Sequence, residues 1–128
     1  MLKKHNPASI AAPIARYTHG VEGSAAARWL YISGQVGLLP DGTTADTPEG
    51  QMEAAFTNLR AILEEASMTP DDIVRFNIFL TSRDHMVAMR DARAKVLGDI
   101  DPAATAVVVA GLARPEWIIE VEAVAAAE

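Results

Sequence analysis

The sequence predicts a two-layer α+β domain in which two helices cover one face of a mixed β-sheet. Three observations lead to this fold class: several apolar segments with strand character, two segments with helical periodicity between them, and a length of 128 residues. The predicted order is strands, helix, strand, helix, strands. We expect a single domain over residues 1–128, with an irregular lead-in over residues 1–13 and a short strand at Ile14–Thr18.

The most apolar part of the chain, residues 101–126, predicts two strands joined by a short turn. Thr105–Ala110 contains three consecutive valines, and a β-branched run of this kind is typical of a strand buried on both faces. Trp117–Val124 alternates, which places Glu120 and Glu122 on one face, about 6–7 Å apart along the strand. Two neighbouring carboxylates are consistent either with a solvated sheet face or with a cleft that contains a general base.

Two further strands, Arg28–Val36 and Ile73–Leu80, are predicted from alternating apolar residues. Strict alternation in the first of them places Gly34 on the same face as Leu30 and Ile32. These strands supply the rest of the predicted sheet, and both lie next to segments of helical period.

The two helices are predicted from apolar stripes with helical spacing and from their terminal residues. The first begins after the N-cap Thr47 and ends near Ser67–Thr69, because Pro70 disfavours helical backbone in the residue before it. The second begins after the cap Ser82 and stops at Gly98.

Composition excludes several functional classes. The formal net charge is −6 and no cluster of Lys or Arg is evident in the sequence, which argues against a nucleic-acid groove and against anionic membrane. Without cysteine there is no disulfide, no thiolate catalysis and no cysteine-ligated metal. The first residues lack the apolar core of a signal peptide, and no apolar run is long enough to span a membrane. We expect a cytoplasmic protein, and the 50% apolar content suggests an oligomer interface.

Common catalytic motifs are mostly absent. The segment S-G-Q-V-G matches neither a dinucleotide-binding loop nor a nucleophile elbow, and Ser33 has no evident Asp-His partner. His5, His19 and His85 do not have metal-ligand spacing, and His19 alone is more typical of a turn than of a catalytic site. We therefore expect no metal and no cofactor.

Several segments together resemble one family, in order and in spacing. They are Y-T-H, LYISGQVG, FTNLRAILEEA, DDIVRFNIFLT, D-P-A before the valine strand, and IIEVEAVA. From about Tyr17 to Ala125 the chain resembles the RidA/YjgF family, also called YjgF/L-PSP, of reactive imine/enamine deaminases. The resemblance implies a chorismate-mutase-like α+β fold, a homotrimer, and small-molecule sites in the clefts between subunits.

The resemblance also implies a reaction and roles for particular residues. Family members hydrolyse 2-imino acids to 2-keto acids and ammonia without a cofactor. By position, Glu120 would orient or activate the attacking water, and Tyr17 would help to place the ligand. The backbone of Ser33 and Gly34 would contribute to the same cleft.

One departure from the family pattern bears directly on function. The family reads P-A-R-S or P-A-R-T where this chain reads Pro102-Ala103-Ala104-Thr105, so Ala104 holds the place of the arginine that grips the substrate carboxylate. Alanine cannot form a charge-assisted bidentate pair. The residues on either side of Tyr17 also depart from the family pattern. The family often has Gly-Pro before this tyrosine and Ser-Gln after it, where this chain has Ala15-Arg16 and Thr18-His19. The candidate residues are Glu120 for catalysis and Tyr17, Ser33, Gly34, Ala104, Thr105, Arg16 and His19 for ligand binding.

Three functions remain open from the sequence. The first is a deaminase-type hydrolase acting on a small imine, enamine or related molecule, with any substrate carboxylate held by Arg16 or Arg114 rather than at Ala104. The second is a non-catalytic small-molecule-binding or regulatory trimer, and the third is a structural module with a vestigial cleft. We expect Arg93 to be a surface charge or part of a subunit salt bridge. The acidic balance argues against RNA contact.

Overall fold

The predicted α+β architecture is confirmed by the computed structural model, which describes residues 2–128; Met1, the first residue of the predicted lead-in, lies outside the described residues. A four-stranded mixed sheet forms one layer and two helices form the other. The strands are β1 (Lys3–His5), β2 (Gly20–Glu22), β3 (Arg28–Val36), β4 (Ile73–Leu80), β5 (Ala103–Val108) and β6 (Ile119–Ala127), and the helices are α1 (Pro48–Glu65) and α2 (Met86–Leu97).

The strand order in the main sheet is β3-β6-β4-β5. β4 and β5 run parallel, whereas β6 pairs antiparallel with both β3 and β4. The short strands β1 and β2 form a separate antiparallel pair. The last strand of the chain is therefore central in the sheet, and β5 lies at an edge.

The hydrophobic core lies between the helices and one face of this sheet. Alternation along β4 and β6 turns every second side chain towards the helices, as period-2 geometry requires. The apolar stripe of α1 meets them, as predicted from its spacing. The largest fully buried side chains are Phe56, Phe76, Met52, Leu59, Leu63, Ile78, Leu80, Ile119 and Val121. The other side of the sheet, which carries Arg75, Asn77, Glu120 and Glu122, is called the open face below.

Helix α1 begins as predicted but ends earlier. Thr47 Oγ1 accepts a hydrogen bond from the Gly50 amide at 3.0 Å, which satisfies one free donor of the first turn. The helix ends at Glu65 rather than near Ser67–Thr69, because Ser67 adopts a left-handed φ of 56°. The Met68 amide then donates to the Leu63 carbonyl at 2.8 Å, which is typical of a helix C-terminus. The helix therefore ends before the position at which Pro70 would stop it.

Helix α2 also matches its predicted ends, with a 3₁₀ turn at its start. The Ser82 hydroxyl accepts from the Asp84 amide at 3.1 Å, and Arg83–His85 form the 3₁₀ turn before the α-helix. Gly98 has a φ of 79° at the C-terminal end, a conformation that favours glycine. None of the helices formed by residues 2–128 is both long and apolar enough to cross a lipid bilayer.

The expectation of two strands joined by a short turn in residues 101–126 was wrong. β5 and β6 are separated in the sheet by β4, and a ten-residue connection, 109–118, carries the chain across it. β5 is not buried on both faces either, since Val107 and Val108 are 40% and 45% exposed in the single chain. Within residues 2–128 β5 pairs with β4 alone, so no other strand covers its second edge.

The first 22 residues also differ from prediction. Ile14–Thr18 does not form a strand, and the lead-in over residues 1–13 is not wholly irregular, because Lys3–His5 pair with Gly20–Glu22. The intervening segment is attached to the sheet instead: the Thr18 amide donates to the Pro102 carbonyl at 2.9 Å, just before β5. That bond places Arg16 and Tyr17 beside the start of β5.

Candidate functional site

Glu120 and Gly34 are in close contact on the open face. The β3–β6 pairing shifts register between Ile32 and Gln35, and this bulge turns Gly34 towards β6. A Cβ built on Gly34 would lie 2.0 Å from Glu120 Oε2, so the carboxylate occupies the space that any larger side chain would need. The prediction that Gly34 shares a face with Leu30 and Ile32 was therefore wrong, because strict alternation does not continue through a bulge.

The two carboxylates of β6 differ in their hydrogen bonding. Glu122 Oε1 accepts from Asn77 Nδ2 at 3.1 Å, across the β4–β6 pair. Glu120 is partly buried, and within residues 2–128 its carboxylate has neither a hydrogen-bond donor nor an ion-pair partner. Its oxygen atoms are therefore available to a water molecule or a ligand.

A cavity of about 310 Å³ lies on the open face. Ser33 lines it together with Tyr31, Asn77 and Glu122. Arg75, which also lines it, donates from Nη2 to Thr105 Oγ1 at 2.7 Å. Of the predicted ligand-binding residues, Ser33 thus belongs to this side of the sheet.

A second cavity, of about 330 Å³, lies between α2, the start of β5 and the segment before β2. It is called the arginine cleft below, because Arg16, Arg90 and Arg93 line it. Its other lining residues are Ile14, Ala15, Tyr17, Ile78, Met86, Met89, Ala104, Thr105 and Ala106. Four of the predicted ligand-binding residues, Arg16, Tyr17, Ala104 and Thr105, therefore line this cavity, although the Thr105 hydroxyl itself is bonded to Arg75 of the open face.

Arg93 has a different environment from the expected surface charge. Its guanidinium lies over the Phe76 ring, 5.2 Å from the centroid, and donates to the Arg16 carbonyl oxygen. Burial lowers the pKa of Arg93 below the usual range of arginine, an effect that Asp101 opposes and that the positive charges of Arg16 and Arg90 reinforce. Arg16 itself pairs with Asp101, Nε to Oδ1, at 3.0 Å.

The arginine pair of α2 is the feature that sequence reasoning missed. Met86, Met89, Arg90 and Arg93 have the spacing i, i+3, i+4, i+7, which is one helix face. From the sequence Arg93 is expected to be a surface charge or part of a subunit salt bridge, and no role is predicted for Arg90. The spacing in the sequence is enough to place the two arginines on one helix face. It does not show that a cavity lies opposite that face.

His19 and Arg114 are held by local contacts. His19 Nε2 donates to the Ala11 carbonyl at 2.8 Å, and the ring packs edge-on against Tyr17 with centroids 5.6 Å apart. The Arg114 guanidinium lies over the Trp117 ring at 5.0 Å and does not line the arginine cleft of this chain. Of the two arginines considered from the sequence as substitutes for the missing one, only Arg16 lies beside Ala104.

Glu120 and Ala104 lie on opposite faces of the sheet. In the strand register Glu120 pairs with Phe79, on the open face, whereas Ala104 pairs with Phe76, whose side chain enters the core. The candidate residues therefore form two groups, called the half-sites below: Glu120, Ser33 and Gly34 on one side of the sheet, and the arginine cleft on the other. Ser33 lines the cavity of about 310 Å³ and not the arginine cleft, and neither Glu120 nor Gly34 is among the lining residues of these two cavities.

Comparisons with known proteins agree with this fold. Residues 8–127 match the family described as Endoribonuclease L-PSP. Protein HMF1 of Saccharomyces cerevisiae is 31% identical over 124 residues, covering 92% of this chain and 89% of its own. A 2-iminobutanoate/2-iminopropanoate deaminase of Dermatophagoides farinae is 29% identical over 118 residues, covering 91% and 89%.

A solved structure extends the comparison to three dimensions. The crystal structure of YyfB from Yersinia pestis, described as a protein of the conserved Rid family, is similar with a TM-score of 0.85 and 28% identity, over 97% of each chain. The chain therefore belongs to the Endoribonuclease L-PSP family, which is the RidA/YjgF family that its sequence segments resemble.

Proposed function

We propose that this protein is a cofactor-independent hydrolase of the deaminase type, acting on a small imine, enamine or related molecule in a cleft between subunits. The observation that carries the proposal is the unpartnered carboxylate of Glu120, held against the backbone at Gly34. A general base must be able to hydrogen-bond the water that it activates, and an engaged carboxylate is poorly suited to that role. The 2-iminobutanoate deaminase among the relatives supports the reaction class.

In the proposed reaction Glu120 accepts a proton from water as the water oxygen bonds to the imine carbon. Glu120 passes that proton to the imine nitrogen, which gives a neutral carbinolamine. Glu120 then removes the carbinolamine O–H proton and delivers it to the nitrogen as the C–N bond breaks, so a carbonyl compound and ammonia are released and the carboxylate is regenerated. This sequence of steps requires no metal and no cofactor.

The two half-sites favour a site shared between copies of this chain. Because Glu120 and Ala104 face opposite sides of one sheet, a cleft that contains both positions needs a second subunit. The open face and the β5 edge carry apolar side chains that a partner would cover, among them Tyr31 at 76% exposure and Val107 at 40%. We propose a homotrimer, in keeping with the family resemblance.

The standard 2-imino-acid reaction is the part of the family chemistry that this chain is least suited to. Ala104 lies at the wall of the arginine cleft and offers no charge to a substrate carboxylate. A substrate carboxylate would have to be held by a cation from another element and in a different position, so we expect 2-iminobutanoate to be hydrolysed more slowly than by the Dermatophagoides farinae relative that is named for this substrate.

The experiment compares two substrates that differ in the carboxylate. 2-Iminobutanoate, generated in situ from threonine by a dehydratase, and butan-1-imine, an imine without a carboxylate that a flavin amine oxidase generates in situ from butylamine, are each followed against their spontaneous hydrolysis. Acceleration of at least one imine supports a hydrolase. If neither is accelerated while the protein binds small carboxylates, the alternative of a non-catalytic binding or regulatory trimer is favoured.

A further inference from the structure

We propose that Arg93, assisted by Arg90 and Arg16, forms a carboxylate-binding site that grips its ligand from helix α2, in place of the arginine that Ala104 has replaced on β5. The site lies in the arginine cleft, beside Ala104 itself. The imine or keto-acid identity of the ligand rests on the proposed function; the binding of a carboxylate does not.

Three arginines from two separate segments of the chain meet at this cavity. Arg90 and Arg93 are three residues apart on α2 and lie on the same face as Met86 and Met89, so the helix presents two cations at one end of an apolar wall. Arg16 approaches from the opposite side, on the segment that the Thr18 amide attaches to the Pro102 carbonyl. Three of the 11 Lys and Arg residues of a chain with net charge −6 thus line one cavity.

Arg90 and Arg93 keep hydrogen-bond donors that other groups of residues 2–128 do not occupy. Arg93 donates one N–H to the Arg16 carbonyl oxygen. Because a guanidinium has five N–H groups, further donors of Arg93 can bind a ligand. Within residues 2–128 Arg90 has no hydrogen bond or ion pair. Packing over Phe76 fixes the Arg93 guanidinium, which reduces the entropy lost when a ligand binds.

Bringing these positive charges together in a partly buried place costs free energy. Partial burial of Arg93 disfavours its charged form, and the nearby arginines add repulsion. Asp101 offsets only part of this, since its carboxylate already pairs with Arg16. A bound anion would compensate both effects.

The ligand class follows from the rest of the wall. Three arginines against Asp101 leave an excess positive charge, and Ile14, Met86, Met89 and Ala104 make the remaining surface largely apolar. A monocarboxylate with a short apolar chain matches both the positive charge and the apolar surface. A free phosphate would pair with the arginines but would make no apolar contact with the rest of the wall.

The test measures binding directly, without turnover. 2-Oxobutanoate is titrated into the intact protein by calorimetry, with inorganic phosphate as the comparison anion. We expect Arg93→Gln to weaken 2-oxobutanoate about 10- to 150-fold, the value of losing charged hydrogen bonds. Arg60→Gln, which removes the same charge from the exposed Arg60–Glu64 pair of α1, should leave affinity unchanged.

A charge-relocation variant separates a ligand contact from a merely structural role. Adding Ala104→Arg to Arg93→Gln returns a cation to the same cleft from β5, and we expect it to restore most of the lost affinity. Because Arg93 also packs over Phe76, Arg90→Gln provides a second, exposed probe and should weaken binding to a smaller degree.

The outcomes separate this inference from the proposed function. Absence of 2-oxobutanoate binding by the wild type, phosphate bound more tightly than 2-oxobutanoate, or an affinity unchanged in both Arg93→Gln and Arg90→Gln overturns the carboxylate site, whatever the activity. Failure of Ala104→Arg to recover affinity lost in a folded Arg93→Gln also counts against it. Arg93-dependent binding without hydrolysis of any imine leaves the site standing and removes the hydrolase.

Discussion

Glu120 Oε2 occupies the space where a Gly34 side chain would begin, and the carboxyl carbon of Glu120 would be only 2.7 Å from a Cβ there. The bulge in β3 and the absence of a side chain at residue 34 together let the carboxylate lie against the strand. This contact is made by the flexible end of Glu120, so it constrains the position of the carboxylate more than the stability of the sheet.

Gly34→Ala should therefore leave the fold intact and impair the proposed reaction. The added methyl must displace the Glu120 carboxylate, which can rotate towards solvent, and the change in unfolding free energy should stay within about 1 kcal/mol. A catalytic group misplaced by about 1 Å can cost ~10²-fold in rate. Imine hydrolysis and thermal melting of the same preparation check this. Wild-type activity in the variant would show that the Gly34 contact does not position a catalytic group.

Gly37→Ala provides the opposite case, and we expect it to destabilise the protein. A Cβ on Gly37 would lie 2.6 Å from the Cα of Gln51, so the obstacle is the backbone of α1 rather than a side-chain terminus. Overpacking of this kind costs about 1–3 kcal/mol. Urea unfolding of Gly37→Ala and Gly34→Ala side by side measures the contrast; equal midpoints would contradict it.

The elements that local sequence determines were predicted well. The bounds of β3 and β4 follow from alternation, and Thr47 and Gly98 act at the helix ends as their chemistry requires. The position of the valine strand, β5, was predicted wrongly. β5 lies at the edge of the sheet because β4 lies between β5 and β6. A run of valines has the same sequence whether another strand of the chain or a partner subunit covers it.

The candidate site was predictable to a similar extent. Glu120 was identified from its position, but its contact with Gly34 depends on a bulge. A glycine inside a strand pattern can indicate a bulge, yet regular alternation was predicted through Gly34. The arginine cleft depends on three segments that are far apart in the chain and meet only after folding. Spacing alone could place Arg90 and Arg93 on one helix face; it could not bring Arg16 to them.

The N-cap of α1 gives a direct test of helix energetics. Thr47→Ala removes the hydroxyl that accepts from the Gly50 amide, leaving that donor to water. We expect a loss of about 1 kcal/mol in unfolding free energy. Thr47→Ser keeps the acceptor and should retain most of the stability. Denaturant unfolding of the two variants distinguishes loss of the cap from loss of the methyl group.

The proposed trimer predicts a mass of about three times 13.7 kDa by multi-angle light scattering. Val107→Asp, which places a charge on the exposed β5 edge strand, should shift the protein towards monomer. Val87→Asp is the matched control: Val87 is 67% exposed on α2, outside the open face and β5. A monomeric wild type would contradict the shared-cleft proposal, and equal dissociation by both variants would show that β5 has no special part in assembly.

The two carboxylates of β6 supply the last prediction, because they share a strand and a face but differ in hydrogen bonding. Glu120→Gln keeps the shape of the side chain and removes its ability to take a proton, and loss of a general base typically costs about 10²–10⁴-fold. Glu122→Gln retains an oxygen that can accept from Asn77 Nδ2, so we expect most of the activity to remain. The measurement is kcat/KM for whichever imine the wild type hydrolyses, with light scattering to establish that both variants assemble alike. An equal loss of kcat/KM in the two variants would mean that the reaction depends on the negative charge of the open face and not on Glu120 as a general base. Undiminished turnover in Glu120→Gln would leave this residue as part of the sheet and would remove the observation on which the proposed reaction depends.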